Sequence, residues 1–217
     1  HDGAFSIFFN GKELMHSLAN SSESQLGSLG VAKLKKGIAN RVLIGGLGLG
    51  YTLKSVLESV GPETVIEVVE LMPEVIEWNR IHLQQLNGSL LEDPRVEIRA
   101  ADVGGVIRSA EPQTYDVILL DVDNGPVAMV DANNSSLYSR AGLRAICAAL
   151  KPGGRIAVWS AGEDKQFETR LRKAGLKFDS VPAKVHEEAK RAAYLLYVVE
   201  PRLIQKQVPS DAGKSLD

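Results

Sequence analysis

The chain has 217 residues, 44% hydrophobic and 24% charged, which excludes a wholly disordered chain and gives room for one sizeable domain or at most two small ones. With 25 Lys and Arg against 27 Asp and Glu, the net charge of -2 gives no electrostatic case for non-specific nucleic-acid binding. A single cysteine excludes an intrachain disulfide framework and a cysteine zinc knuckle, and no apolar run reaches the ~20 residues of a membrane span, so a reducing, cytoplasmic setting off the membrane is expected.

Residues 1–40 read as a small N-terminal element. Phe5 to Phe9 is apolar and aromatic, Asn10-Gly11 is a turn signal, and Glu13 to Ser17 returns as a second strand. This hairpin either packs on its own domain or meets a second copy in a homodimer. Ser21 to Lys36 is polar and weakly helical. No signal peptide is visible, and the chain begins at His1 rather than Met, which leaves open a native N-terminus upstream.

From Arg41 apolar runs alternate with amphipathic segments over residues 41–204. The runs Val42 to Ile44, Val65 to Val69, Val96 to Ile98, Val117 to Leu120 and Ile156 to Trp159 are short and rich in β-branched residues, as strands buried on both faces should be. Helices are expected over Tyr51 to Val60; from Pro73, with Val75, Ile76, Leu83 and Leu86 on its apolar side; from Leu137 to Leu150, stopped by Lys151-Pro152-Gly153-Gly154; and from Asp164 to Lys173. This alternation implies a parallel sheet with helices on both faces. Lys177 to Lys184 and Ala193 to Val199 are two further strands with a short polar connection, so they pair antiparallel. Residues 205–217 form a polar tail.

The sharpest motif is RVLIGGLGLG, in which a buried strand runs into Gly46-x-Gly48-x-Gly50 ahead of a helix. Glycines there let the backbone approach a ligand and adopt positive φ, and the helix start offers free N–H groups. Glu70 ends the second strand, where a carboxylate accepts hydrogen bonds from ribose hydroxyls; its other reading is a strand-end or capping charge. Dinucleotide loops read G-x-G-x-x-G, and Tyr51 or Leu53 occupies the third glycine position here, which disfavours a nicotinamide-dependent oxidoreductase.

G-x-G-x-G is instead the pattern of S-adenosylmethionine loops, and with the antiparallel sheet end the chain resembles a class I, Rossmann-like methyltransferase fold: seven mostly parallel strands, the last antiparallel, behind the small hairpin. That fold implies an acid after strand three for the adenine amino group, where Asp102 stands; its other reading is a turn residue before Gly104-Gly105. Segments ELMPEVIEWNR, DPRVEIRAADV, YDVILLDVDNGP and LYSRAGLRAICAALKPGG, with the leading hairpin, look like the spermidine synthase family over about Phe5 to Val199. The resemblance implies S-adenosylmethionine or its decarboxylated form as donor and a small amine as acceptor. Gly46, Gly48, Gly50, Glu70, Leu71, Asp102 and Val103 would bind the donor.

Asp121 and Asp123 follow the apolar run Val117 to Leu120. Asp121 matches the family aspartate that holds the attacking amine and accepts its proton; Asp123 and Tyr138 would border the acceptor. An amine is mostly protonated at neutral pH, and a carboxylate can bind the cation and then take its proton. The sulfonium is already a good leaving group, so no metal is expected; His16, His82 and His186 also lack metal-ligand spacing. Three places depart from the family. The D-S-[ST]-D-P stretch reads Asp121-Val122-Asp123-Asn124-Gly125-Pro126, the acid of the GGGDGG loop becomes Leu49, and SSESQLGSL replaces a Tyr-Gln pair. The alternative function is a non-catalytic nucleoside-binding or dimer-forming module. Trp78 borders the adenosine pocket or packs, Trp159 and Cys147 read as packing residues, and the run His186 to Arg191 as a solvated face.

Overall fold

A computed structural model describes residues 3–9, 11–122 and 134–201. The chain opens with an antiparallel hairpin of β1 (Ser6–Phe9) and β2 (Lys12–His16), followed by α1 (Ser21–Val31). Strand and helix then alternate: β3 (Arg41–Gly45), α2 (Tyr51–Ser59), β4 (Val65–Glu70), α3 (Pro73–Ile81), α4 (Gln84–Asn87), β5 (Val96–Ala100), α5 (Val103–Ser109) and β6 (Tyr115–Leu120). After them come α6 (Asn134–Leu137), α7 (Arg140–Ala149), β7 (Leu150–Ser160), α8 (Lys165–Lys173), β8 (Phe178–Ala183) and β9 (Tyr194–Val199). Among the described residues no helix is long and apolar enough to cross a membrane.

The main sheet has seven strands in the order β5-β4-β3-β6-β7-β9-β8, and only β9 runs against the others. This is the expected class I methyltransferase-like sheet. Side chains of a strand alternate between faces, and β3 shows the consequence. Val42 and Ile44 enter one core with Leu26 of α1, Val56 of α2 and Ile66. Leu43 enters the other, with Ile107 of α5, Ile146 of α7 and Phe167 of α8. Both faces of the strand are dry, which is why its sequence is an unbroken apolar run.

Helix α1 belongs to these layers rather than to the hairpin. Leu26 is fully buried, and Gly27 and Gly30 let the helix sit directly on Thr52 of α2 and Leu119 of β6, where a Cβ would collide. The buried guanidinium of Arg155 donates to the Leu29 carbonyl at 2.5 Å and to Glu200 at 2.6 Å, while Lys33 pairs with the same Glu200 at 2.6 Å.

Three expectations about helices need correction. The helix from Pro73 ends at Ile81, so Leu83 and Leu86 lie beyond it, around α4. The segment Lys151 to Gly154 lies inside β7, where the β6–β7 register shifts between Tyr115 and Val117. Helix α7 starts at Arg140, capped by Ser139, whose Oγ accepts from the Gly142 N–H at 3.1 Å. Helix α5, hidden in a Gly-Gly sequence, was not anticipated.

Candidate active site

Strands β4 and β6 flank β3 on opposite sides, so the chain leaves the sheet in opposite directions there and opens a crevice at the strands' carboxyl ends. Gly45 pairs with Val69 on one side and with Leu120 on the other, and Glu70 pairs with Ala100. The glycine loop, Glu70, Asp102 and Asp121 therefore stand at adjacent strand tips.

The loop needs its glycines. Gly46, Gly48 and Gly50 have φ of +92°, +51° and +86°. A side chain on Gly46 would run into the Asp121 backbone, and one on Gly48 would meet Sδ of Met15 at 2.5 Å, so β2 of the hairpin lies over the loop. Two buried asparagines fix the loop from behind: Nδ2 of Asn79 donates to the Gly48 carbonyl at 2.8 Å, and Nδ2 of Asn87 to the Leu49 carbonyl. Bonding the carbonyls to the protein orients the loop's backbone without using its N–H groups. Sequence reasoning missed both asparagines; neither belongs to a local motif.

Glu70 is buried and bonded to backbone on both oxygens: Leu47 N–H donates to Oε2 at 2.8 Å and Met72 N–H to Oε1 at 2.9 Å. A carboxylate has about four lone-pair sites, so each oxygen keeps one for a ligand hydroxyl. Asp102 caps α5, taking Gly104 N–H on Oδ1 at 3.0 Å and Gly105 N–H on Oδ2 at 2.9 Å, with Arg108 at 3.2 Å. Asp102 is thus a helix cap rather than the turn residue of its other reading, and the half-exposed carboxylate keeps acceptor capacity. Leu71 is 53% exposed beside Glu70, and Val103 is buried against Gly45.

Leu49 turns away from this crevice. It is buried with Tyr51 and Leu83 under Phe5, Ile7 and Met15, so the hairpin packs on its own domain. Trp78 joins the same cluster and lines a cavity of about 250 Å³ with Phe5, Leu49 and Leu83. The loop therefore presents no acid at the position where the family has one.

Asp121 is bonded to Thr52, whose Oγ1 donates to Oδ2 at 2.7 Å, and its own N–H donates to the Gly45 carbonyl at 2.8 Å. Burial first, and then the negative charge of Glu23, push its carboxyl up to about 7, against the lowering effect of the Thr52 bond. Glu23 comes from α1 and is 8% exposed; burial raises it too, while Ser22 Oγ donates to its Oε2 at 2.6 Å. Sequence reasoning did not single out Glu23, which lies in SSESQLGSL, where the family has its Tyr-Gln pair. Tyr138 is 1% exposed, its ring edge-on to Phe167 at 5.3 Å in the core beneath α8. Asp123 and Asn124 lie outside the described residues.

Comparison with known proteins adds to this geometry. No family model matches the chain. Over 139 residues it is 34% identical to polyamine aminopropyltransferase 2 of Pseudomonas aeruginosa, a match covering 60% of this chain and 37% of that one. It is 31% identical over 116 residues to putrescine N-methyltransferase 2 of Nicotiana attenuata, covering 54% of this chain and 29% of that protein. The chain thus spans under two-fifths of the length of these curated relatives. The crystal structure of spermidine synthase from Thermotoga maritima superposes with a TM-score of 0.61 at 20% identity, covering 88% of this chain and 63% of that one. The spermidine synthase-like resemblance carried by the sequence motifs holds in both comparisons, and the fold is that of the class I methyltransferases.

Proposed function

We propose that the chain is a spermidine synthase-like transferase, binding S-adenosylmethionine or its decarboxylated form and moving a methyl or aminopropyl group to a small amine. The observation that carries this reading is Asp121: a carboxyl raised to about 7, anchored by Thr52, at the strand tip beside the glycine loop. The donor fits the residues present. Gly46 to Gly50 offers open backbone, Glu70 has lone pairs for the ribose, and Asp102 and Leu71 border the adenine. When bound, the donor supplies an electrophilic carbon next to a sulfonium.

The acceptor arrives as an ammonium and passes one proton to Asp121. A base with a value near neutral pH suits that task better than an ordinary aspartate. The freed nitrogen lone pair forms the new C–N bond, the C–S bond breaks, and its electron pair stays on sulfur as a neutral thioether. The product nitrogen keeps one positive charge. Holding the two reactants in line supplies much of the acceleration.

The two relatives transfer different groups by name, and the donor's own end decides between them. Leu49 gives a donor amine no acid to meet. The test is incubation with each donor form and a panel of alkylamines. Methylthioadenosine as product marks aminopropyl transfer and S-adenosylhomocysteine marks methyl transfer. Neither product, with donor bound, would favour the non-catalytic nucleoside-binding module.

A further inference from the structure

We infer that Glu23 of α1 is an acceptor-binding residue, its carboxylate and that of Asp121 together holding the ammonium of the incoming amine. This deepens the transferase reading and rests on it. Both acids are held by neutral groups: Ser22 and its own backbone N–H on Glu23, and Thr52 on Asp121. Among the described residues neither has a Lys or Arg partner, whereas the buried Glu67 pairs with Arg41 at 2.9 Å and the buried Glu168 with Arg172 at 2.7 Å. Two neighbouring acids without a cation are costly in a buried setting, and a bound cation removes that cost.

The surroundings of Glu23 fit the same ligand. Thr52 Oγ1, which bonds Asp121, lies 3.3 Å from the Glu23 carbonyl and so ties the two acids to one corner. The phenols of Tyr51 and Tyr194 lie within the field of the Glu23 charge. Trp159 packs tilted against Tyr194, with centroids 4.8 Å apart, and aromatic faces beside acids attract alkylammonium groups. A corner with two uncompensated acids and an aromatic wall is one that an alkylammonium ligand completes. The acid missing at Leu49 in the donor loop is thus matched by one supplied from α1, on the acceptor side.

The experiment is calorimetric titration of the full chain with 1,4-diaminobutane in the presence of methylthioadenosine, for wild type and Glu23→Gln, with S-adenosylmethionine and its decarboxylated form titrated in parallel. The expected result is an amine affinity at least about tenfold weaker in Glu23→Gln, the scale of one charge-assisted contact, with donor affinity within about twofold. Repeating the wild-type titration in buffers of different ionisation enthalpy counts protons. Amine binding near pH 7 should release protons from the pair Glu23 and Asp121, which Glu70, Tyr51 and Tyr194 face, and release should vanish about two pH units higher. This measurement needs no variant, so it stands even if Glu23→Gln folds poorly. Equal amine affinity in the two proteins, or binding without proton release, overturns the inference. Wild type that binds donor but no amine overturns it while leaving the donor site intact; wild type that binds neither overturns both readings.

Discussion

The backbone N–H of Leu47 donates to Oε2 of Glu70 at 2.8 Å, so the residue expected to hold the ribose also holds the glycine loop in place. The two roles separate by mutation. Glu70→Ala leaves the N–H groups of Leu47 and Met72 without their acceptor and should cost about 1–3 kcal/mol of stability besides weakening the donor. Glu70→Gln keeps one acceptor oxygen and should stay folded while still losing donor affinity. Thermal melts and donor calorimetry on both variants check this; unchanged donor affinity in both would remove the ribose role.

Asp121→Asn should abolish turnover and spare donor affinity, measured by product formation and calorimetry. In wild type, turnover should rise with pH through about 7 as Asp121 loses its proton. The same group affects stability in the opposite sense. Its folded value lies above the unfolded value of about 4, so between them the native state holds a proton that the unfolded chain has released. Its contribution to stability therefore falls as pH rises from about 4 to about 7 and is level above that. Urea denaturation at several pH values should show a shallower decline in Asp121→Asn.

Thr52→Val removes the hydrogen bond that favours the charged form of Asp121. The carboxyl should move further up, and the rise in the pH–rate profile should move to higher pH with it. A profile that stays in place would mean that Thr52 does not tune the base.

Asn87→Ala strips the Leu49 carbonyl of its donor inside the cluster under the hairpin. A loss of about 1–3 kcal/mol in stability is expected, together with weaker donor binding as the loop loosens. Gly46→Ala tests the front of the same loop. A Cβ at φ +92°, against the Asp121 backbone, should destabilise by more than about 1 kcal/mol and displace the strand tip that carries Asp121.

What the sequence disclosed and what it hid divide along a physical line. The strands, the glycine loop and the pair Glu70 and Asp121 are local patterns, apolar runs followed at once by glycines or acids, and all were legible. Asn79, Asn87 and Thr52 act on residues 31, 38 and 69 positions away, and no periodicity records such contacts. Glu23 sat in a segment read as polar and weakly helical, because its burial depends on Gly27 and Gly30 letting α1 settle against the sheet. Lys151 to Gly154 looked like a full stop after a helix; the strand absorbs it by shifting register against β6. Asp102 read from sequence as an adenine ligand or a turn residue; it caps α5, a helix hidden in Gly104-Gly105, and its carboxylate keeps lone pairs besides the cap.

The clasp of Arg155, Glu200 and Lys33 has a reach that its small size conceals. Glu200 follows β9, and through it that strand is tied to Lys33, 167 residues earlier and just past α1, while Arg155 ties it to Leu29 within the helix. A truncation just short of Glu200 would keep every strand of the sheet yet remove the acid that both cations share, leaving α1 to be held chiefly by its apolar face.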